Sequence, residues 1–384
     1  MIDKLKRVSL ILLLSRLPFS FVLFLFVNII GLGARFRFTK FNILDVTTYL
    51  FFITCFFVSS VNYIIHDSSI ISLLVPSVFL VFLICANTMN ISFDRFFCDI
   101  IIISGGIVLV TALIEIMFSF NFASYLYEGN EHIRYLETDR FLVSGLFANY
   151  NDFSFSMFFF ITTLSSYSIQ SKSIGVKVLG FIAIILSLSI CIYLGSRGFL
   201  LSILAFYSLF IYMQFPNKVF RVSMVSIGII GLLSSSVILS SYLLDNSNMI
   251  RISIIENYIN LISNDWYYLL FGFSEKSKYV SHSVLLYGEG LYDPHNLFME
   301  VMIMYGVPAF LLLLFSYVIT TLNLIKFNEG KFKGGYEAVL IPVFVLCPLI
   351  GAVPSSSLMY YYLQFILIAM LVIYQKLIKD TGGL

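Results

Sequence analysis

Three arginines and one histidine carry most of the chemistry open to this sequence. Arg140, Arg197 and Arg251 each lie beside a predicted membrane boundary or in a polar stretch between apolar runs. A guanidinium is permanently charged and grips phosphate oxygens through two parallel hydrogen bonds, so the three could converge on one anionic group. The alternative for each is a snorkelling interfacial side chain or a partner for a nearby carboxylate. His295 lies in Asp293-Pro294-His295-Asn296, immediately before a long apolar run. An imidazole titrates near neutrality and can take a proton from a hydroxyl; at a helix start it can equally serve as a cap or an interface residue. A zinc site shared with His282 lacks the Cys or carboxylate cluster that would complete it. Glu115 and Arg16 fall inside apolar runs, where a charge is expensive unless paired or facing a wet cavity. Structural pairing is expected of both, with a proton or ion pathway as the alternative. Glu300 falls one turn beyond His295, near the interface.

The elements that must position these groups follow from composition. The chain has 384 residues, is 59% hydrophobic, 17% aromatic and 11% charged, and has a mean hydropathy of +0.96. A typical soluble domain is about 45–50% apolar and about 25% charged. Too few polar side chains remain to cover a soluble surface, which excludes a soluble enzyme, a nucleic-acid-binding domain, a disordered chain and a disulfide-stapled module. A net charge of +2 implies no polyanionic partner. The cysteines (Cys55, Cys85, Cys98, Cys191, Cys347) lie in or beside apolar runs without CxxC spacing and read as small buried hydrophobes. The N-terminus resembles a signal sequence but lacks a small-residue cleavage site, so it is expected to be retained.

A membrane helix needs roughly 20 mostly apolar residues. Candidate spans are 8–31, 43–65, 68–88, 99–122, 152–169, 176–194, 198–214, 222–241, 297–325, 336–353 and 356–375. The expected fold is therefore an all-α polytopic membrane protein of about 11–12 helices, one integral domain over 1–384, since a transmembrane helix is the unit the bilayer dictates. Two polar stretches, 123–151 and 242–296, exceed simple turns and are expected to be functional loops. Placing both outside leaves thirteen Lys and Arg inside (Arg35, Arg37, Lys40, Arg95, Lys172, Lys177, Lys218, Arg221, Lys326, Lys331, Lys333, Lys376, Lys379) and six outside. Eleven crossings would leave Lys4, Lys6 and Arg7 outside; a broken or hairpin segment at 8–31, containing Arg16 and Pro18, would restore the parity. Both outside loops are net acidic, so arginines kept there do not serve topology.

Arg140-Phe-Leu-Val-Ser-Gly145-Leu-Phe-Ala-Asn149-Tyr-Asn151-Asp152 resembles a stretch of the O-antigen polymerase and ligase superfamily. Gly195-Ser196-Arg197-Gly198 resembles that family's Ser-Arg-Gly turn. The outside loop then carries Arg251 and Leu270-Phe271-Gly272-Phe273. It ends in His295-Asn296-Leu-Phe298-Met-Glu300, with Gly306 downstream, similar to a His-Asn-x-aromatic-x-Glu motif and its following glycine. The family often has Gly-x-Gly in mid-loop, where this chain has Ser274.

The resemblance implies a GT-C-like, metal-independent, inverting glycosyltransferase of the bacterial inner membrane with its active site facing the periplasm and 242–296 as its catalytic loop. It implies no cofactor. The partners would be undecaprenyl-pyrophosphate-linked oligosaccharide donor and acceptor, the lipid bilayer and, as an optional addition, a chain-length regulator, with no nucleic acid. His295, Arg251 and Arg197 are the expected catalytic residues, and Arg140, Asn149, Asn151, Asn296 and Glu300 the expected substrate-binding ones. O-antigen polymerase is the first expectation. An O-antigen ligase passing the polymer to lipid A-core, or a capsule or exopolysaccharide polymerase, is the alternative. A lipid-linked sugar flippase would place its charges inside spans and keep its outside loops short, the reverse of this pattern.

Overall fold

The computed structural model describes residues 2–15, 43–68, 93–122, 143–147, 150–194, 197–214, 256–274 and 297–331, together with parts of 22–30 and 70–81. The helices among the described residues include α1 (Ile2–Leu14), α2 (Ile43–His66), α3 (Phe93–Phe118), α4 (Tyr150–Gln170), α5 (Ile174–Tyr193), α6 (Arg197–Gln214), α7 (Trp266–Phe271) and α8 (Leu297–Lys331). No strand occurs among the described residues. Four stretches are long and apolar enough to cross a membrane: Val46–His66, Cys98–Phe118, Ile174–Tyr193 and Phe298–Ile319. The protein is an all-helical polytopic membrane protein, as composition requires. The candidate spans at 222–241, 336–353 and 356–375 lie outside the described residues.

α4 is the hub of one group of helices, packed against α3, α5 and α6. It is sheathed on nearly every side, and its Phe153, Phe158 and Phe159 are fully buried. Its neighbours approach closely because they offer small residues, the usual basis of helix association in lipid. A Cβ on Gly105 of α3 would come within 2.5 Å of the Phe160 Cβ, and one on Gly180 of α5 would collide with the Ser168 hydroxyl. Two hydroxyls of α4 are satisfied by carbonyls of their own helix. Thr162 donates to the Phe158 carbonyl at 2.8 Å and Ser165 to that of Ile161 at 2.7 Å, while Ser165 also bonds Tyr207 of α6 at 2.7 Å. Cys55, Cys98 and Cys191 are buried thiols, as apolar placement predicts.

α8 packs along α2, and α7 bridges the two. Ser316 of α8 donates to Thr47 of α2 at 3.0 Å near one end of the pair. At the other end α8 is broken. Gly306 has φ 79° and ψ 173°, and Pro308 follows. Proline has no N–H, so the Met304 carbonyl loses its helical donor, and the turn before Gly306 is opened as well.

Candidate active site

The kink in α8 is where the long loop attaches. Phe273 donates its N–H to the Ile303 carbonyl at 3.0 Å, and Ser274 donates to Met304 at 2.8 Å. The Tyr258 hydroxyl donates to Met302 at 3.1 Å. Three successive carbonyls of the interrupted helix thus receive donors from the 256–274 segment, which meets the requirement that buried backbone groups be paired. They lie four to six residues inside the apolar stretch that begins at Phe298, about 6–9 Å at the helical rise. Irregular backbone at that depth is tolerated only when buried and bonded, as here.

Two glycines make the approach possible. Gly272 has φ 56°, and a Cβ there would lie 2.5 Å from the Met304 carbonyl carbon. A Cβ on Gly306 would strike the Leu270 carbonyl oxygen. The mid-loop Leu-Phe-Gly-Phe and the glycine after His-Asn are therefore two halves of one backbone joint. Ser274, the departure from Gly-x-Gly, keeps a left-handed φ of 54° without being glycine. Its hydroxyl accepts from Asn62 Nδ2 at 2.8 Å, and the same amide donates to the Phe271 carbonyl at 3.1 Å. Tyr267 in turn donates to Asn62 Oδ1 at 3.2 Å. Burial, with Tyr268 and the Asp265 carboxylate adding to it, holds the Tyr267 phenol above its ordinary pKa, so it stays a donor. Asn62 is 1% exposed. It ties α2 to the loop; its only sequence signal is an amide inside an otherwise apolar run.

A second joint fixes residues 143–147, within the motif that runs in sequence from Arg140 to Asp152. Glu115 is fully buried near the end of α3. Its carboxylate accepts N–H bonds from Phe122 at 2.7 Å, Ser144 at 2.9 Å and Gly145 at 2.7 Å. The expected structural pairing of Glu115 is therefore with backbone amides. Gly145 adopts φ 57° beneath Thr111.

The expected site residues surround these joints in sequence. Arg197 opens α6, Asn151 lies in the first turn of α4, and Glu300 is buried in the first turn of α8. An acidic side chain there faces the positive end of the helix dipole. Arg140, Asn149, Arg251, His295 and Asn296 lie outside the described residues, as does Arg16. Sequence reasoning passed over Asn62, Tyr258 and Tyr267, and treated 242–296 as a single loop although it contains α7 and a further helical stretch at 256–264.

Residues 182–314 match the family model described as O-antigen ligase. The teichuronic acid biosynthesis protein TuaE of Bacillus subtilis (strain 168) is 25% identical over 281 residues, covering 65% of this chain and 54% of that protein. The chain thus spans about half the length of the curated relative it matches. Both matches bear out the resemblance carried by the motifs, and the chain is similar to the O-antigen ligase superfamily through the segment that holds Arg197, Arg251, His295 and Glu300.

Proposed function

We propose that this protein is a polysaccharide polymerase, an inverting glycosyltransferase that joins undecaprenyl-pyrophosphate-linked repeat units at the outer face of the bacterial cytoplasmic membrane. The observation that carries it is the joint between Gly272 and Gly306, which locks two of the superfamily-like motifs together just beyond His295-Asn296. The acceptor hydroxyl gives its proton to His295 and its oxygen attacks the anomeric carbon of the donor. The bond to pyrophosphate breaks with inversion, and the leaving group takes the electron pair. Arg197 and Arg251, with Arg140 as a third, stabilise the charge that grows on the pyrophosphate, which favours the transition state over the ground state. These arginines supply the positive charge, so the step invokes no metal. Asn149, Asn151, Asn296 and Glu300 bind the sugars, with Asn296 orienting His295 or capping α8. A chain-length regulator is a further partner of this scheme.

The relative's place in teichuronic acid biosynthesis favours a polymer other than O-antigen as a second reading of the same chemistry. Ligation to lipid A-core shares the donor and differs only in acceptor. Deletion in the native host, with surface polysaccharide resolved by gel, separates these. Single repeats on the final carrier mean a polymerase; accumulated lipid-linked polymer with an unmodified carrier means a ligase. An unchanged profile overturns both.

A further inference from the structure

Trp266, the single tryptophan of the chain, opens α7 with 68% of its surface exposed. What covers that ring is decided by depth. α7 lies across the end of α2, whose apolar stretch runs from Val46 to His66. The Tyr267 ring meets His66 edge-on with centroids 5.0 Å apart, and its hydroxyl reaches Asn62, four residues inside that stretch. Those four residues correspond to about 6 Å along the helix axis. Tyr267 therefore straddles the end of the apolar run. Trp266 is the adjacent residue, about 3.8 Å away along the backbone, within the polar layer that extends roughly 5–8 Å beyond the hydrocarbon on each side of a bilayer. Ile64 and Ile65 at the same end of α2 are also exposed, Ile64 by 76%, as is Leu270 on α7. An amphipathic indole beside an apolar collar at this level fits the headgroup region, where tryptophan concentrates in membrane proteins.

We propose that Trp266 is an interfacial anchor: its indole inserts among the lipid headgroups and upper acyl chains and holds the outer end of the 266–274 segment at the membrane surface. The joint at Gly306 fixes the inner edge of that segment, and the indole fixes its outer edge. The proposal does not depend on which reaction the protein catalyses.

The unmodified full-length chain supplies its own probe, since all its indole fluorescence arises from Trp266. Reconstituted in phosphatidylcholine vesicles, the protein should emit to the blue of tryptophan in water. Lipid brominated on the upper acyl chain should quench most of that emission, lipid brominated near the chain end should quench less, and acrylamide should quench weakly. Water-like emission quenched fully by acrylamide would overturn the proposal and place the ring in solution, free for a sugar to stack on. Blue emission insensitive to both brominated lipid and acrylamide would also overturn it, because the ring would then be covered by protein. Stronger quenching by chain-end than by upper-chain bromine would overturn it by setting the ring in the hydrocarbon core.

Discussion

Ser274 shows how a departure from a motif can preserve the motif's geometry. A left-handed conformation costs a residue with a Cβ about 1–2 kcal/mol, while a net hydrogen bond contributes about 1 kcal/mol. The hydroxyl bond to Asn62 therefore roughly offsets the strain of φ 54°. Ser274→Gly removes both and should leave the unfolding temperature in detergent within a few degrees of wild type, since Asn62 Nδ2 still reaches the Val58 and Phe271 carbonyls. Ser274→Ala keeps the strain and loses the bond, so it should cost about 1 kcal/mol. Gly272→Ala and Gly306→Ala are expected to be far worse, because each new Cβ meets backbone that cannot move aside and each would carry left-handed strain of about 1–3 kcal/mol besides. A thermal series giving Ser274→Gly the largest loss of the four would show the joint to be misassigned.

Helices are the part of this protein that its sequence states most openly, because apolar runs in lipid have few alternatives to helix. The stretches 43–65, 152–169, 176–194 and 198–214 became helices with ends shifted by no more than a few residues. The run at 297–325 is a helix too, but its break at Gly306 is visible in sequence only as a glycine two residues before a proline. The joints were hidden for a different reason. Asn62 bonds residues more than two hundred positions away in the chain, and no local pattern reports such a pairing. Glu115 was legible as a charge that needed a partner, yet backbone amides carry no side-chain signature, so the identity of the partner was not. At this scale Glu115 fastens the 143–147 segment to α3. Glu115→Ala strands two buried N–H groups and a part-buried third, each buried one costing at least about 1 kcal/mol unpaired, and should lower stability by about 2 kcal/mol or more. Glu115→Gln keeps one acceptor oxygen but turns an amide donor toward backbone donors, and should fall between Ala and wild type. Thermal unfolding checks that order, and polysaccharide yield from the Gln variant should drop if the segment carries Arg140 into the site.

At the scale of the whole molecule, charge is scarce and its distribution does the discriminating. Of the 23 Lys and Arg, thirteen fall in stretches expected to face the cytoplasm and six in stretches expected to face outward. The buried framework of the described residues rests on phenylalanine packing, hydroxyl pairs and the two joints. Arg251 and His295 fall in the polar stretch 242–296 and their proposed roles are chemical, so loss of either side chain is expected to remove function while the apolar runs still insert. His295→Ala should abolish polymer formation if it removes the proton acceptor. Arg251→Ala should lower the rate by roughly 10²–10³, the usual cost of deleting one preorganised donor to a developing oxyanion. Arg251→Lys separates charge from geometry. If the guanidinium grips phosphate with two parallel bonds, lysine recovers little of the rate, because a point charge cannot reproduce the fork; if Arg251 is merely a snorkelling interfacial cation, lysine is as good as arginine. Complementation of a deletion strain, with polymer resolved by gel and protein measured in washed membranes, reads both outcomes at once. Wild-type membrane levels with no polymer from His295→Ala and Arg251→Lys are the expected result, and full-length polymer from Arg251→Lys would return that arginine to an interfacial role.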